Sequence, residues 1–134
     1  MATMKLGNCR AIYKDNVLTV SPIEGTDGKM PFVDYKFEWP WTNFAKEIKK
    51  VVIKPGVKAV CSIRKMFYGF EKCQIFDVGS LDTSQVKDMT ETFGKCKCLA
   101  ALTELDNWDT GQVSNMTYMF SNCRSLKDIS AVAR

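Results

Sequence analysis

With 134 residues, 46% of them hydrophobic and 25% charged, the chain has the size and composition of one globular domain able to bury a core. It contains no histidine, which excludes Ser-His-Asp and Cys-His catalysis, histidine metal sites and the usual proton shuttle at neutral pH. Its net charge of +4 is concentrated between residues 44 and 72, where Lys46, Lys49, Lys50, Lys54, Lys58, Arg64, Lys65 and Lys72 outnumber Glu47 and Glu71. Few aromatics interleave there as a nucleic-acid stacking platform requires, so a solvated basic face is expected and nucleic acid is not.

Residues 1–10 lack the apolar core of a secretory signal, and no apolar run reaches the roughly 20 residues of a membrane span. The chain is therefore read as cytoplasmic, or as exported with a leader already removed. Ala11–Tyr13 and Val17–Val20 flank Lys14-Asp15-Asn16, the pattern of a β-hairpin. Residues 21–31 collect Pro, Gly, Asp and Ser and predict a loop. Phe32–Trp39 alternates aromatic and charged residues and predicts an edge strand ended by Pro40. Trp41, Phe44 and Ile48 share one face of a short amphipathic helix with Thr42 or Asn43 as N-cap and Lys49 and Lys50 beyond its end. Val51–Ile53 predicts a strand and Pro55-Gly56 a turn.

Two later segments repeat. Leu81–Cys96 and Trp108–Cys123 align at an offset of 27 residues, with identical Asp82/Asp109, Val86/Val113, Met89/Met116, Thr90/Thr117, Phe93/Phe120 and Cys96/Cys123. A shift of 26 adds a degenerate third unit, setting Val60 on Val86, Ile63 on Met89, Phe67 on Phe93, Cys73 on Leu99 and Phe76 on Leu102. A period of this size predicts stacked units that bury a shared core. Each unit reads as a short strand (Leu102 and Leu105, closed by Trp108), an Asp-led turn, an inward pair and one helical turn at Tyr118–Asn122. Val60, Val86, Val113, Ile63, Met89, Met116, Phe67, Phe93, Phe120, Leu99, Leu102 and Leu126 are the expected repeat core. The expected fold is an α+β, β-rich solenoid of about three rungs over residues 51–134, behind a hairpin and short-helix cap over residues 1–50. Ala131–Arg134 reads as the start of a further rung without a polar cap.

The string WDTGQVSNMTYMFSNCRSL, Trp108–Leu126, resembles the 26-residue repeat of bacterial surface proteins in the BspA-like leucine-rich repeat family. Trp41, Phe44, Ile48, Val51–Ile53 and Pro55-Gly56-Val57 resemble the segment that precedes such repeats. The resemblance covers roughly residues 41–130. It implies a right-handed leucine-rich-repeat stack in a secreted or surface-attached protein, with adhesion or protein binding as its role and no cofactor.

Three polar constellations compete with structural explanations. Asp82 and Asp109 suggest a carboxylate row for calcium or acid–base chemistry, but one Asp per unit is too few for the six or more oxygens of a calcium ion. An Asx-turn explains them together with Ser84 and Gly111. Cys96-x-Cys98 with Cys73 or Cys123 is a poor match to a four-ligand zinc site. Cys73, Cys96 and Cys123 fall at inward positions and read as small buried hydrophobes, with a Cys96–Cys123 disulfide as the alternative. Cys61 and Cys98 fall at polar positions and read as exposed thiols. Lys65, Glu91 and Tyr118 share an outward position where the units differ, and are the candidate partner-facing residues. The reading is a non-enzymatic protein-interaction module without catalytic or metal-binding residues. The alternative is an assembly unit that self-associates through an open C-terminal edge.

Overall fold

In the computed structural model, residues 1–100 and 102–126 are described. Among these residues seven strands form: β1 (Ala2–Leu6), β2 (Cys9–Lys14), β3 (Val17–Pro22), β4 (Lys50–Ile53), β5 (Cys61–Ser62), β6 (Ile75–Asp77) and β7 (Val86–Asp88). They make a five-stranded mixed sheet, β1-β2-β3-β4-β6, and a pair, β5-β7. The first three strands are antiparallel neighbours, whereas β3-β4, β4-β6 and β5-β7 are parallel.

The expected hairpin is β2-β3. Its two-residue turn, Asp15-Asn16, has both residues at positive φ, 52° and 66°, the conformation that lets a two-residue turn follow the strand twist. A second two-residue turn, Gly7-Asn8, adds β1 in front of it; this strand is absent from the sequence reading. Val51 and Ile53 of β4 point into the core with Leu18 and Val20 of β3, as the alternation of a sheet with one covered face demands.

The fold expectation is overturned. The chain forms an open mixed sheet rather than an α+β, leucine-rich-repeat-like solenoid, and among the described residues helix is limited to two short 3-10 segments, Thr42–Glu47 and Thr103–Asn107. Three particulars account for this. The N-terminal segment is not a lid set on a stack: β3 pairs in parallel with β4, so residues 1–50 supply three of the five strands. The expected amphipathic helix closes as a 3-10 turn interrupted at Phe44 (φ −122°, ψ 22°), with Trp41 at its N-cap and no side-chain cap bond. The strand expected from Leu102 to Leu105 is replaced by the second 3-10 segment. There Glu104 Oε2 accepts the Val78 N–H at 3.2 Å and Trp108 Nε1 donates to the Val78 carbonyl at 2.9 Å. Both backbone groups of Val78 are thus taken by side chains, just where a further strand would pair.

The expected edge strand at Phe32–Trp39 is also a loop. Asp34 turns the chain locally, its Oδ1 accepting from Lys36 N at 2.9 Å and its carbonyl from Phe37 N at 3.2 Å. Tyr118–Asn122 forms tight turns instead of a helical turn, because Tyr118 and Asn122 both sit at positive φ. The partial strand expected at Ala131–Arg134, and with it the open C-terminal edge, lies outside the described residues.

The repeated segments lie side by side. Ile63, Lys65, Phe67 and Gly69 donate to the carbonyls of Asp88, Thr90, Thr92 and Gly94, and Met89, Glu91, Phe93 and Lys95 donate to those of Asn115, Thr117, Met119 and Ser121. Phe93 stacks on Phe67 at 5.2 Å, on Phe120 at 5.7 Å and on Trp108 at 5.9 Å between ring centroids. Trp39 and Trp41 close the other end, their indoles donating to the carbonyls of Arg64 and Met66 at 2.7 and 2.8 Å. These bonds let large aromatic side chains be buried without an orphaned donor.

Candidate partner-binding face

Each repeated segment carries the same local construction. Ser62 Oγ accepts from Arg64 N at 3.0 Å, Asp88 Oδ1 from Thr90 N at 2.9 Å and Asn115 Oδ1 from Thr117 N at 2.9 Å. A short polar side chain folds the backbone back on itself in each case. The residue that follows each turn or lies one beyond it is left-handed: Lys65 at φ 56°, Glu91 at 52° and Tyr118 at 54°. Their N–H groups still reach the neighbouring segment, Lys65 to Thr90 and Glu91 to Thr117, each at 3.0 Å. The three candidate partner-facing residues therefore form one row, with Lys65 exposed, Glu91 half-buried and Tyr118 69% exposed. A second left-handed row, Gly69, Lys95 and Asn122, runs four residues further on.

Beside this row lies an open cleft of about 690 Å³ whose walls include Tyr35, Phe37, Trp39, Arg64, Lys65 and Tyr68. Tyr35 is 73% exposed. The ring of Tyr68 receives the ammonium groups of Lys65 and Lys95 at 5.3 and 5.7 Å from its centroid. It also lies against Gly94, where a Cβ would come within 2.8 Å of the ring. Arg64 reaches Asp88 at 4.0 Å, and Glu71 joins Lys97 at 2.6 Å and Lys46 at 3.7 Å. The Lys97 hydrogen bond holds the Glu71 carboxyl below the usual range. Aromatic side chains with a polar or charged rim, placed on turns of a hydrogen-bonded framework, are what a partner-binding patch needs.

The two candidate turn residues act within the backbone. Asp82 Oδ1 accepts from Ser84 N and Oγ at 2.9 and 2.7 Å, which lowers its pKa, and Asp109 Oδ1 accepts from Gly111 N at 2.9 Å. All six cysteines are free. Cys96 Sγ donates to the Phe67 carbonyl at 3.2 Å and Cys123 Sγ to the Phe93 carbonyl at 3.0 Å, so each thiol is spent on the preceding segment. Burial pushes the thiols of Cys9 and Cys73 up to about 11 and about 12, and those of Cys96 and Cys123 upward as well. Among the described residues no three His, Cys, Asp or Glu side chains are grouped to hold a metal ion. Cys61 and Cys98, expected as exposed thiols, are half-buried; Cys61 stands in β5 with φ 68°.

Of the expected repeat core, Ile63, Phe67, Val86, Met89, Phe93, Leu99 and Leu102 are buried. Val60 is only half-buried, because it lines an open cleft. Val113, Phe120 and Leu126 are half-buried as well, and Met116 is 38% exposed. These four belong to the last described segment, over which no further described segment is stacked; Met119 takes the buried place there. Tyr35, Arg64 and Tyr68 are the face residues that sequence reasoning missed. Asp34, whose side chain forms the turn that projects Tyr35, was the available signal.

The fold and the face define a β-rich protein in which equivalent turns of neighbouring segments carry different side chains. The chain belongs to the family described as Mycoplasma protein of unknown function, DUF285, which it matches over residues 37–133. No curated protein and no solved structure matches the chain. None of the helices among the described residues is long and apolar enough to cross a membrane.

Proposed function

We propose that this chain is a non-enzymatic protein-interaction module of a bacterial surface or adhesin-type protein. The observation that carries the reading is the row Lys65, Glu91, Tyr118. Three structurally equivalent left-handed positions, held by the same turn and by hydrogen bonds between neighbouring segments, present a cation, an anion and a phenol. The framework repeats while the displayed chemistry does not, and differing side chains on a rigid support are how a broad face acquires specificity. The absence of histidine from the chain and the use of Asp82 and Asp109 in turns support a non-catalytic role. The resemblance of Trp108–Leu126 to the BspA-like repeat supports a secreted or surface-attached location.

The test is biolayer interferometry against immobilised fibronectin, laminin and collagen. Wild-type binding to one of them that weakens about tenfold or more in K65A/E91A/Y118A supports the face as the site, since a few central residues carry most of an interface's energy. Binding that the triple variant leaves unchanged, or no binding to any of the three, overturns the proposal.

A further inference from the structure

In a second cleft, with a lining distinct from the first, Lys58 of the basic stretch between residues 44 and 72 meets residues from the loop before it and the repeat after it. Lys29 and Lys58 occupy directly paired positions on parallel stretches of backbone, and Lys58 is paired in turn with Asp82. Such stretches run about 5 Å apart. Lys29, Lys58 and Lys87 are all exposed and line one open cleft of about 590 Å³. Phe32, 68% exposed, forms one of its walls, and Val60 and Cys61, both half-buried, line it too.

The charges in this cleft do not balance. None of the three lysines takes part in an ion pair among the described residues, where the pairs are Lys46–Glu71, Arg64–Asp88 and Lys97–Glu71. Among the described residues the one carboxylate lining the cleft is Asp82, which lies opposite Lys58 and whose pKa is held low by its Ser84 hydrogen bonds and by that lysine's charge, so the three ammonium groups still outnumber the lining carboxylates by two. Asp27, in the field of Lys29 and Lys58, is likewise engaged by Asn8 Nδ2 at 2.8 Å and Lys29 N at 3.0 Å. Like charges directly opposite one another destabilise paired strands, so the Lys29–Lys58 pair is a cost that an anion in the cleft would relieve.

We propose that the Lys29–Lys58–Lys87 cleft binds an acidic polypeptide segment, its carboxylates meeting the three ammonium groups and one apolar side chain packing on Phe32. Charge complementarity selects the acidic partner. The single exposed phenyl suits one apolar anchor residue, whereas single-stranded nucleic acid would need a series of rings to stack its bases. This site is separate from the Lys65–Glu91–Tyr118 row and does not depend on it.

The test is fluorescence anisotropy with a fluorescein-labelled peptide that alternates Glu with Thr around one central Phe. Its Gln-for-Glu counterpart, heparin and phosphatidylserine vesicles serve as competitors. The wild-type chain is expected to bind the Glu peptide, more weakly as salt rises. K29E/K58E/K87E, checked for unchanged circular dichroism, is expected to lose affinity about tenfold or more, in line with the loss of close charge pairs at an interface. Bound peptide should also slow iodoacetamide labelling of Cys61, followed residue by residue by mass spectrometry. Equal binding of the Gln peptide, unchanged affinity in the triple variant, or unprotected Cys61 overturns the proposal. So does displacement by heparin or vesicles at concentrations where unlabelled Glu peptide fails to compete. Peptide binding that survives in K65A/E91A/Y118A while matrix binding is lost keeps both sites. Absence of wild-type binding in one of the two assays alone identifies which of the two proposals has failed.

Discussion

Cys96 Sγ donates to the carbonyl of Phe67 at 3.2 Å, from a position 29 residues further along the chain. Cys123 repeats the contact one segment later, donating to Phe93 at 3.0 Å. Thiols placed this way are hydrogen-bond donors inside an apolar core, and their protonated form is part of the folded state.

That arrangement makes stability fall in alkali. The ordinary thiol value is 9.0, and burial raises Cys9 to about 11 and Cys73 to about 12, with Cys96 and Cys123 raised too. The folded chain keeps these protons at a pH where the unfolded chain has lost them. The contribution is therefore fully present below pH 9 and is lost as pH rises through the native values. Thermal melts from pH 8 to 11 should show a falling Tm. C73A/C96A should be less stable at pH 8 by about 1–3 kcal/mol from lost packing, yet show a shallower alkaline slope. An unchanged slope in that variant would remove the thiols as its cause.

Phe93 is the centre of the aromatic stack, fully buried against Phe67, Phe120 and Trp108. Phe93→Ala should destabilise the chain by about 3–5 kcal/mol, and Phe93→Leu by less. Urea denaturation checks this, and a loss under about 1 kcal/mol would show that the stack relaxes to fill the space.

The left-handed rows predict unequal effects from two simple changes. Lys95 and Gly69 are equivalent, and both have positive φ, 58° and 78°. Lys95→Gly removes steric strain at φ 58° but gives the unfolded chain more freedom, so its net effect should lie within about 1 kcal/mol of zero. Glu91→Val places a β-branched side chain at φ 52° and should cost about 1–2 kcal/mol. Denaturation midpoints that rank the valine variant above the glycine variant would contradict the assigned backbone.

Asp82 should matter through its turn. Asp82→Ala removes the acceptor for Ser84 N and Oγ and should cost about 0.5–1.5 kcal/mol. Asp82→Asn keeps an acceptor oxygen and should cost less. The lowered Asp82 pKa means its contribution is present above the ordinary value of 3.8 and fades as pH falls through the native value. Melts from pH 7 to 3 should therefore show the Ala variant converging on wild type in acid. A constant gap would assign the loss to something other than the carboxylate.

Much of the local structure was legible because it rests on short-range rules. Asp15-Asn16 between two apolar runs could only be a tight hairpin turn, and Asp109-x-Gly111 carries its own acceptor and a permissive backbone. The row Lys65, Glu91, Tyr118 was recoverable from its shared repeat position alone. Its left-handed backbone was not, since the identities of a lysine, a glutamate and a tyrosine give no hint of positive φ. The face around it was hidden for a different reason. Tyr35 and Tyr68 are 33 positions apart in number and come to line one cleft only in the folded chain.

The amino-acid order by itself determined the β2-β3 hairpin turn, the Asp-led turns at Asp82 and Asp109, the central buried positions Ile63, Phe67, Val86, Met89 and Phe93, and that histidine chemistry is closed to this chain. Only the tertiary structure decided which strands pair. Hydrophobic patterning specifies that a strand has a buried face but not whose edge it joins. Here β3 was free to pair with β4, and Glu104 and Trp108 of a later segment occupied Val78, so one open mixed sheet formed across the boundary that the repeats had suggested.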